Sequence, residues 1–159
     1  MHGAEGITLF PEARDAQAFL AHLGDISSRH SVEIHCYCLM STHYHLLVRD
    51  ARGGISAAMS QLNGWYSRRY NHRYGRRGPL FDGRFHRTLV EDEGHLRSCV
   101  RYIVRNPVDA GLCREPAGWA WSSHRATIGV AQRPWFLLTD LALGPAGTVE
   151  AYIRDVAAC

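Results

Sequence analysis

An α+β fold built around an antiparallel hairpin is what this 159-residue sequence predicts. Three features predict it. Residues 32–40 alternate and are rich in β-formers. Only Ser41-Thr42 then separates them from a second strand-like run, His43-Tyr44-His45-Leu46-Leu47-Val48. On either side of this pair, apolar residues recur at helical spacing.

Taken in order, residues 1–10 carry little pattern. Pro11 suits the first turn of a helix, and Phe19, Leu20, Leu23 and Ile26 extend helical spacing to about Ser28. The two strands follow, and Arg52-Gly53-Gly54 breaks the second. A helix is expected over 55–74, with Ile55, Met59, Leu62 and Tyr66 on its inner face. Gly75 and Gly78-Pro79 end it, and Leu80 leads into a further strand ending near Val90. Asp92 can cap the next helix, with Glu91 and Glu93 favourable at its positive end. Leu96, Cys99, Val100 and Ile103 form the buried stripe of that helix, and Asn106-Pro107 stops it. Tyr102 and Asn106 are four apart, so they stack on one face away from the centre of the stripe. Trp119-Ala120-Trp121-Ser122-Ser123 reads as a loop packed on the domain, and short helical segments follow from Leu137 to Val156.

Length and composition describe one ordinary globular domain, 46% apolar and 21% charged. No apolar run approaches the roughly 20 residues that cross a bilayer. No signal peptide is visible either, which makes a cytoplasmic location the default expectation. The five cysteines, Cys36, Cys38, Cys99, Cys113 and Cys159, are irregularly spaced and do not suggest a disulfide framework. Cys36 and Cys38 share a strand face and read as buried thiols rather than metal ligands. Charge is uneven although the net is only +3. Residues 68–87 hold seven arginines and a single acid, Asp82, whereas the rest of the chain sums to −3. There is no lysine at all. A basic patch interleaved with Tyr66, Tyr70, Tyr74, Phe81 and Phe85 suits single-stranded nucleic acid, because bases stack on aromatic faces while guanidinium groups hold phosphates. The same residues also fit a core of aromatics under a solvated basic surface.

His43 and His45 carry the most pointed chemistry. Side chains alternate along a strand, so both imidazoles point the same way, about 6–7 Å apart. That spacing lets them grip one metal ion while Tyr44, Leu46 and Val48 face the core. Taken alone, the motif is weak and is more often a partly exposed strand bearing two ordinary histidines.

Four stretches in order resemble the single-tyrosine HUH transposases, and most closely the REP-associated tyrosine transposase branch. They are Tyr37-Cys38-Leu39-Met40-Ser41-Thr42-His43-Tyr44-His45-Leu46-Leu47-Val48, then Gly78-Pro79-Leu80-Phe81-Asp82-Gly83-Arg84-Phe85, the run from Tyr102 to Leu112, and Trp121-Ser122-Ser123. The resemblance spans from about Leu9 to the C-terminus. It implies an antiparallel sheet with helices on one face, similar to the RRM or ferredoxin-like plan. It also implies a single domain over 1–159, with an extra helical segment over about 125–159. It makes His43 and His45 metal ligands, Asn106 the amide that completes the site, and Tyr102 the nucleophile. Family members of this kind act on single-stranded or hairpin DNA in transposition. Arg68, Arg69, Arg73, Arg76, Arg77 and Arg84 are the candidates for backbone contact, and a homodimer is compatible with the sequence.

The chemistry of those roles is coherent. Cleaving a phosphodiester needs a nucleophile in line with the leaving 3′ oxygen and a means of neutralising charge on the non-bridging oxygens. Two imidazoles and one amide oxygen leave room for phosphate and water around Mg²⁺ or Mn²⁺. A tyrosine does covalent catalysis, and a phenol leaves more readily than an alkoxide. A 5′-phosphotyrosine can therefore be attacked by a second 3′-hydroxyl, which allows strand transfer without ATP.

One departure stands out. The family's first strand precedes the segment corresponding to residues 3–10 and lies beside the strand bearing His43 and His45. It is not found in this chain, so a row of backbone groups there is expected to lack a ladder partner. Two other readings compete with the enzyme: a non-catalytic or degenerate relative that binds hairpin DNA through the arginines, and a zinc-bound structural domain using Cys36, Cys38, His43 and His45.

Overall fold

The computed structural model describes residues 1–144 and 147–158; Pro145, Ala146 and Cys159 lie outside the described residues. The elements in order are α1 (Ala13–His30), β1 (Val32–Leu39), β2 (Tyr44–Asp50), α2 (Ile55–Arg73), α3 (Glu93–Asp109), a short 3₁₀ turn (Pro116–Gly118), α4 (His124–Thr127), α5 (Asp140–Leu143) and α6 (Val149–Ala157). The class is α+β, as expected, with β1 and β2 forming a two-stranded antiparallel sheet. No described helix is long and apolar enough to cross a membrane.

The hairpin closes as its sequence suggests: Met40 N–H donates to His43 O at 2.8 Å across Ser41-Thr42. Three expectations are corrected. The stretch after Leu80 forms no strand among the described residues; it contributes only an isolated bridge between Phe81 and Gly3. Exposed Arg84, His86, Arg87, Thr88 and Leu89 show why, since among the described residues nothing covers them. Pro107 does not stop α3 but lies inside its last turn. Its ring removes the N–H that would have bonded the Ile103 carbonyl, and the helix ends two residues later. On β2, Leu47 is buried whereas Leu46 and Val48 are only half-buried. The face shared with the histidines is therefore partly covered too. The edge where the family's first strand was expected to be lacking is met in part by residues 1–4. His2 bridges His43, Gly3 N–H donates to Thr42 O at 2.8 Å, and Ala4 N–H donates to Leu80 O at 2.9 Å.

The residues group into two compact units. One comprises Met1–Val32, Leu39–Tyr44 and Asp50–Arg87, and the other Glu33–Cys38, His45–Arg49 and the chain from Thr88 onward.

In the first unit α1 and α2 pack through Phe19, Leu23, Ile26, Met59, Leu62 and Tyr66, all buried. Phe19 and Leu62 have no exposed surface, and each such side chain stabilises by roughly 1.5–3 kcal/mol. Tyrosines supply much of this core, and each hydroxyl has a partner: Tyr44 to Asn63 Oδ1 at 2.6 Å, Tyr66 to Leu9 O at 2.6 Å, Tyr70 to Thr8 O at 2.9 Å, Tyr74 to Asp15 Oδ2 at 2.5 Å. A buried phenol needs such a bond to offset its lost hydration. Pro11 lies just outside α1; Glu12 is the N-cap, in a reciprocal capping box with Asp15. Asp50 caps the entry to α2, accepting from Gly54 and Ile55 N–H at 2.8 and 3.0 Å. These backbone bonds hold its carboxyl below the usual range. Gly54 is required there, since a Cβ would sit 2.3 Å from His30 O.

In the second unit residues 34–38 of β1 form a buried spine. Ile34 bridges Leu137, Cys38 bridges Ser122, and Tyr37 N–H donates to Ser123 Oγ at 3.0 Å. The Trp119–Ser123 stretch thus packs as expected, through its serines. Asp92 caps α3 by accepting from His95 N–H at 2.8 Å. Contact with α6 is secured in part by Arg105, which donates to Val156 O at 3.4 Å.

His124 is buried beside Tyr152, Nδ1 to hydroxyl 2.8 Å. Burial pushes the Tyr152 phenol up, so it keeps its proton and donates to the neutral ring. Burial also lowers the His124 imidazole from its usual 6.5 to about 4. As the pH falls below about 6.5 the unfolded chain takes up this proton before the folded one does. Stability contributed by neutral His124 is therefore complete above that pH, falls until about pH 4, and changes no further below it. Urea midpoints measured between pH 7 and pH 4.5 should fall less steeply in His124→Gln than in wild type; equal slopes would contradict this account.

Candidate active site

α3 carries the centre of the site. Val100, Ile103, Val104 and Pro107 are buried, so the helix is held with that stripe inward. Leu96 and Cys99, expected in the same stripe, are only half-buried near its N-terminal end. Tyr102 falls on the opposite side and is 58% exposed. Asn106 lies one turn further on, and its Nδ2 donates to Tyr102 O at 2.8 Å. Because the NH₂ group is used in that bond, Oδ1 is the acceptor left over.

His45 is brought to the same place. Its ring meets that of Tyr102 edge to face, centroids 5.2 Å apart and planes 79° apart. Its Nε2 is closed off from solvent. Tyr102, Asn106 and His45 all belong to the second unit. His43 is described with the first unit, where its ring stacks on His2 at 4.7 Å with 21° between planes. Thr42 Oγ1 lies 3.2 Å from its Nδ1.

Within the second unit, the His45 imidazole and the Asn106 carboxamide, whose Nδ2 is already engaged, are donor types that a divalent cation accepting nitrogen and oxygen takes. A zinc site from Cys36, Cys38, His43 and His45 is removed. Among the described residues no group of three or more His, Cys, Asp or Glu is placed to hold a metal. Cys36 and Cys38 are fully buried; burial pushes the Cys36 thiol up to about 12 and Cys38 in the same direction, so neither is a thiolate near neutrality.

The six candidate arginines separate into two groups. Arg68, Arg69, Arg77 and Arg84 are exposed. Arg73 pairs with Glu12 at 3.1 Å and Asp15 at 3.4 Å, tying α2 to the start of α1. Arg76 donates to Pro79 O at 2.9 Å and braces the turn after α2. The aromatics that alternate with them are mostly core: Tyr66, Tyr70 and Phe81 are buried and Tyr74 is bonded to Asp15. Trp65 was not singled out by the sequence pattern, yet it is the aromatic side chain that stands on the arginine side of α2. A signal was present: it lies one residue, or 100° of helix, away from inward-facing Tyr66.

The family model for IS200-like transposases matches residues 8–106. A solved structure of a REP-associated tyrosine transposase bound to a REP hairpin is similar, with 16% sequence identity and a TM-score of 0.67, covering 87% of this chain and 81% of that chain. No curated protein matches the chain.

Tyr102 is more than half exposed, and its hydroxyl makes no hydrogen bond among the described residues. Tyr102→Phe should therefore leave the unfolding free energy within about 0.5 kcal/mol of wild type. A larger loss in urea titration would show that the phenol is a structural group.

Proposed function

This chain belongs to the IS200-like transposase family, and on that premise we propose that it nicks and rejoins single-stranded DNA with Tyr102 as nucleophile. The observation that carries the proposal is the outward Tyr102, in ring contact with His45 and with its own carbonyl held by the Asn106 amide.

In this reading the Tyr102 phenol oxygen attacks a phosphorus of the strand. The new O–P bond forms as the bond to the 3′ oxygen breaks. The phenol proton passes to solvent, which reaches the exposed ring, and the leaving 3′ oxygen takes a proton from solvent, so the departing strand ends in a 3′-hydroxyl. A second 3′-hydroxyl later attacks the same phosphorus, and the phenol regains a proton as it leaves. No nucleotide cofactor is consumed, because the energy of the original ester is conserved in the phosphotyrosine.

His43, His45 and Asn106 are the proposed ligands of Mg²⁺ or Mn²⁺. Such an ion acts as a Lewis acid on the phosphate oxygens. Asn106 has a further task in this scheme, linking the metal side of the helix to the backbone of the nucleophile.

A DNA hairpin is the proposed partner. The structural neighbour is bound to one, and this chain presents a +6 segment at residues 68–87. Exposed Arg68, Arg69, Arg77 and Arg84 are the side chains offered for its phosphates, while Arg73 and Arg76 serve the fold.

Incubating the protein with 5′-tailed hairpin oligonucleotides, radiolabelled 3′ of the cleavage site, and Mn²⁺ should give a labelled band that survives a denaturing gel. Tyr102→Phe should give none, and chelation should abolish the wild-type band. Equal labelling of both proteins would remove the proposal. Salt-sensitive binding without any adduct would favour the non-catalytic relative instead.

A further inference from the structure

Within the first unit, Trp65 forms one wall of an open groove of about 540 Å³ that Arg68, Arg69, His72 and Arg73 complete. That volume lies in the range that takes a nucleotide-sized group. The indole is not part of the core. It is half-buried, and His22 of α1 stacks on it with centroids 4.0 Å apart and planes 22° apart. The Arg69 guanidinium sits 5.8 Å from the ring centroid. Arg73 is neutralised by Glu12 and Asp15, whereas among the described residues no carboxylate pairs with Arg68 or Arg69. The groove therefore offers one aromatic column and two free guanidinium groups within two turns of one helix.

We propose that this groove seats an unpaired nucleotide of single-stranded DNA, with its base on the Trp65–His22 column and its flanking phosphates on Arg68 and Arg69. A base and a guanidinium are both planar groups that stack on indole, so an entering base either replaces Arg69 on the ring or stacks against its plane. Arg69 is released toward phosphate in the first case. The column has no hydrogen-bonding edge aimed at a base, so the site reads the presence of a base rather than its identity. The choice of DNA as the polymer rests on the transposase reading; the stacking and charge arguments do not.

The test is fluorescence-anisotropy binding of labelled oligothymidylate, an abasic strand of equal length and oligouridylate. The proteins are wild type, Trp65→Leu, Trp65→Phe and the double variant Arg68→Gln/Arg69→Gln. Trp65→Leu should weaken oligothymidylate binding by roughly 5- to 150-fold, Trp65→Phe should restore most of it, and neither should change abasic binding. The double arginine variant should lower the slope of log affinity against log salt by about 1.4, at roughly 0.7 per phosphate on a single strand. Unchanged oligothymidylate binding by Trp65→Leu, or an equal loss on the abasic strand, would overturn the proposal. Tighter binding of oligouridylate through the same residues would overturn the assignment to DNA. The Tyr102 adduct, assayed at saturating DNA, separates the two ideas. An adduct alongside oligothymidylate binding that ignores Trp65 sinks this inference alone, and Trp65-dependent binding without any adduct sinks the enzymatic reading alone.

Discussion

Rotation of α3 about its own axis is the constraint from which the candidate site follows. Val100, Ile103, Val104 and Pro107 are buried, and turning the helix to hide Tyr102 would expose that stripe to water. At roughly 1.5–3 kcal/mol for each large apolar side chain, this burial outweighs anything gained by covering a single phenol. The nucleophile candidate is thus outward because of residues that take no part in chemistry. Asn106 then follows from helix geometry, since one turn places its amide under the carbonyl of Tyr102, with Nδ2 donating at 2.8 Å. The outcome is a rigid rod that carries a phenol and an amide oxygen at a set spacing.

A second theme is the division of labour along α2. One side is a row of tyrosines whose hydroxyls all find partners, and it belongs to the core. The other side carries Trp65, Arg68 and Arg69. Arg73 belongs with neither: its guanidinium meets Glu12 and Asp15. An arginine in that position keeps the helix ends together and is not available to an outside phosphate. Sequence-local charge, +6 over residues 68–87, therefore overstates the charge that a ligand meets.

The hairpin, the three long helices and the outward pairing of Tyr102 with Asn106 were legible in the sequence because each rests on a local period. Ser41-Thr42 between two alternating runs leaves a two-residue turn as the natural link, and an Asp before a helical stripe signals a cap. What was not legible depended on tertiary context. Residues 80–90 have strand-like composition, yet a strand needs a neighbour, and among the described residues only Phe81 finds one, across from Gly3. Pro107 removes a ladder donor, yet it is buried with the stripe of Val100, Ile103 and Val104, and the helix runs two residues past it, which the local sequence does not reveal. The aromatics of 66–81 were compatible with either core or ligand contact, and burial decided for core. Whether Leu46 or Leu47 faces inward could not be read from alternation, since both faces of β2 are partly covered.

Attachment chemistry tests the central claim most directly. Cleavage after arginine releases Tyr102-Ile103-Val104-Arg105 as a four-residue peptide, because Arg101 precedes it. After reaction with a single-stranded hairpin substrate in Mn²⁺, nuclease trimming and proteolysis, mass spectrometry should find that peptide carrying a 5′-linked nucleotide on its phenol oxygen. The nucleotide found on any other residue, with none on the Tyr102 peptide, would contradict the account.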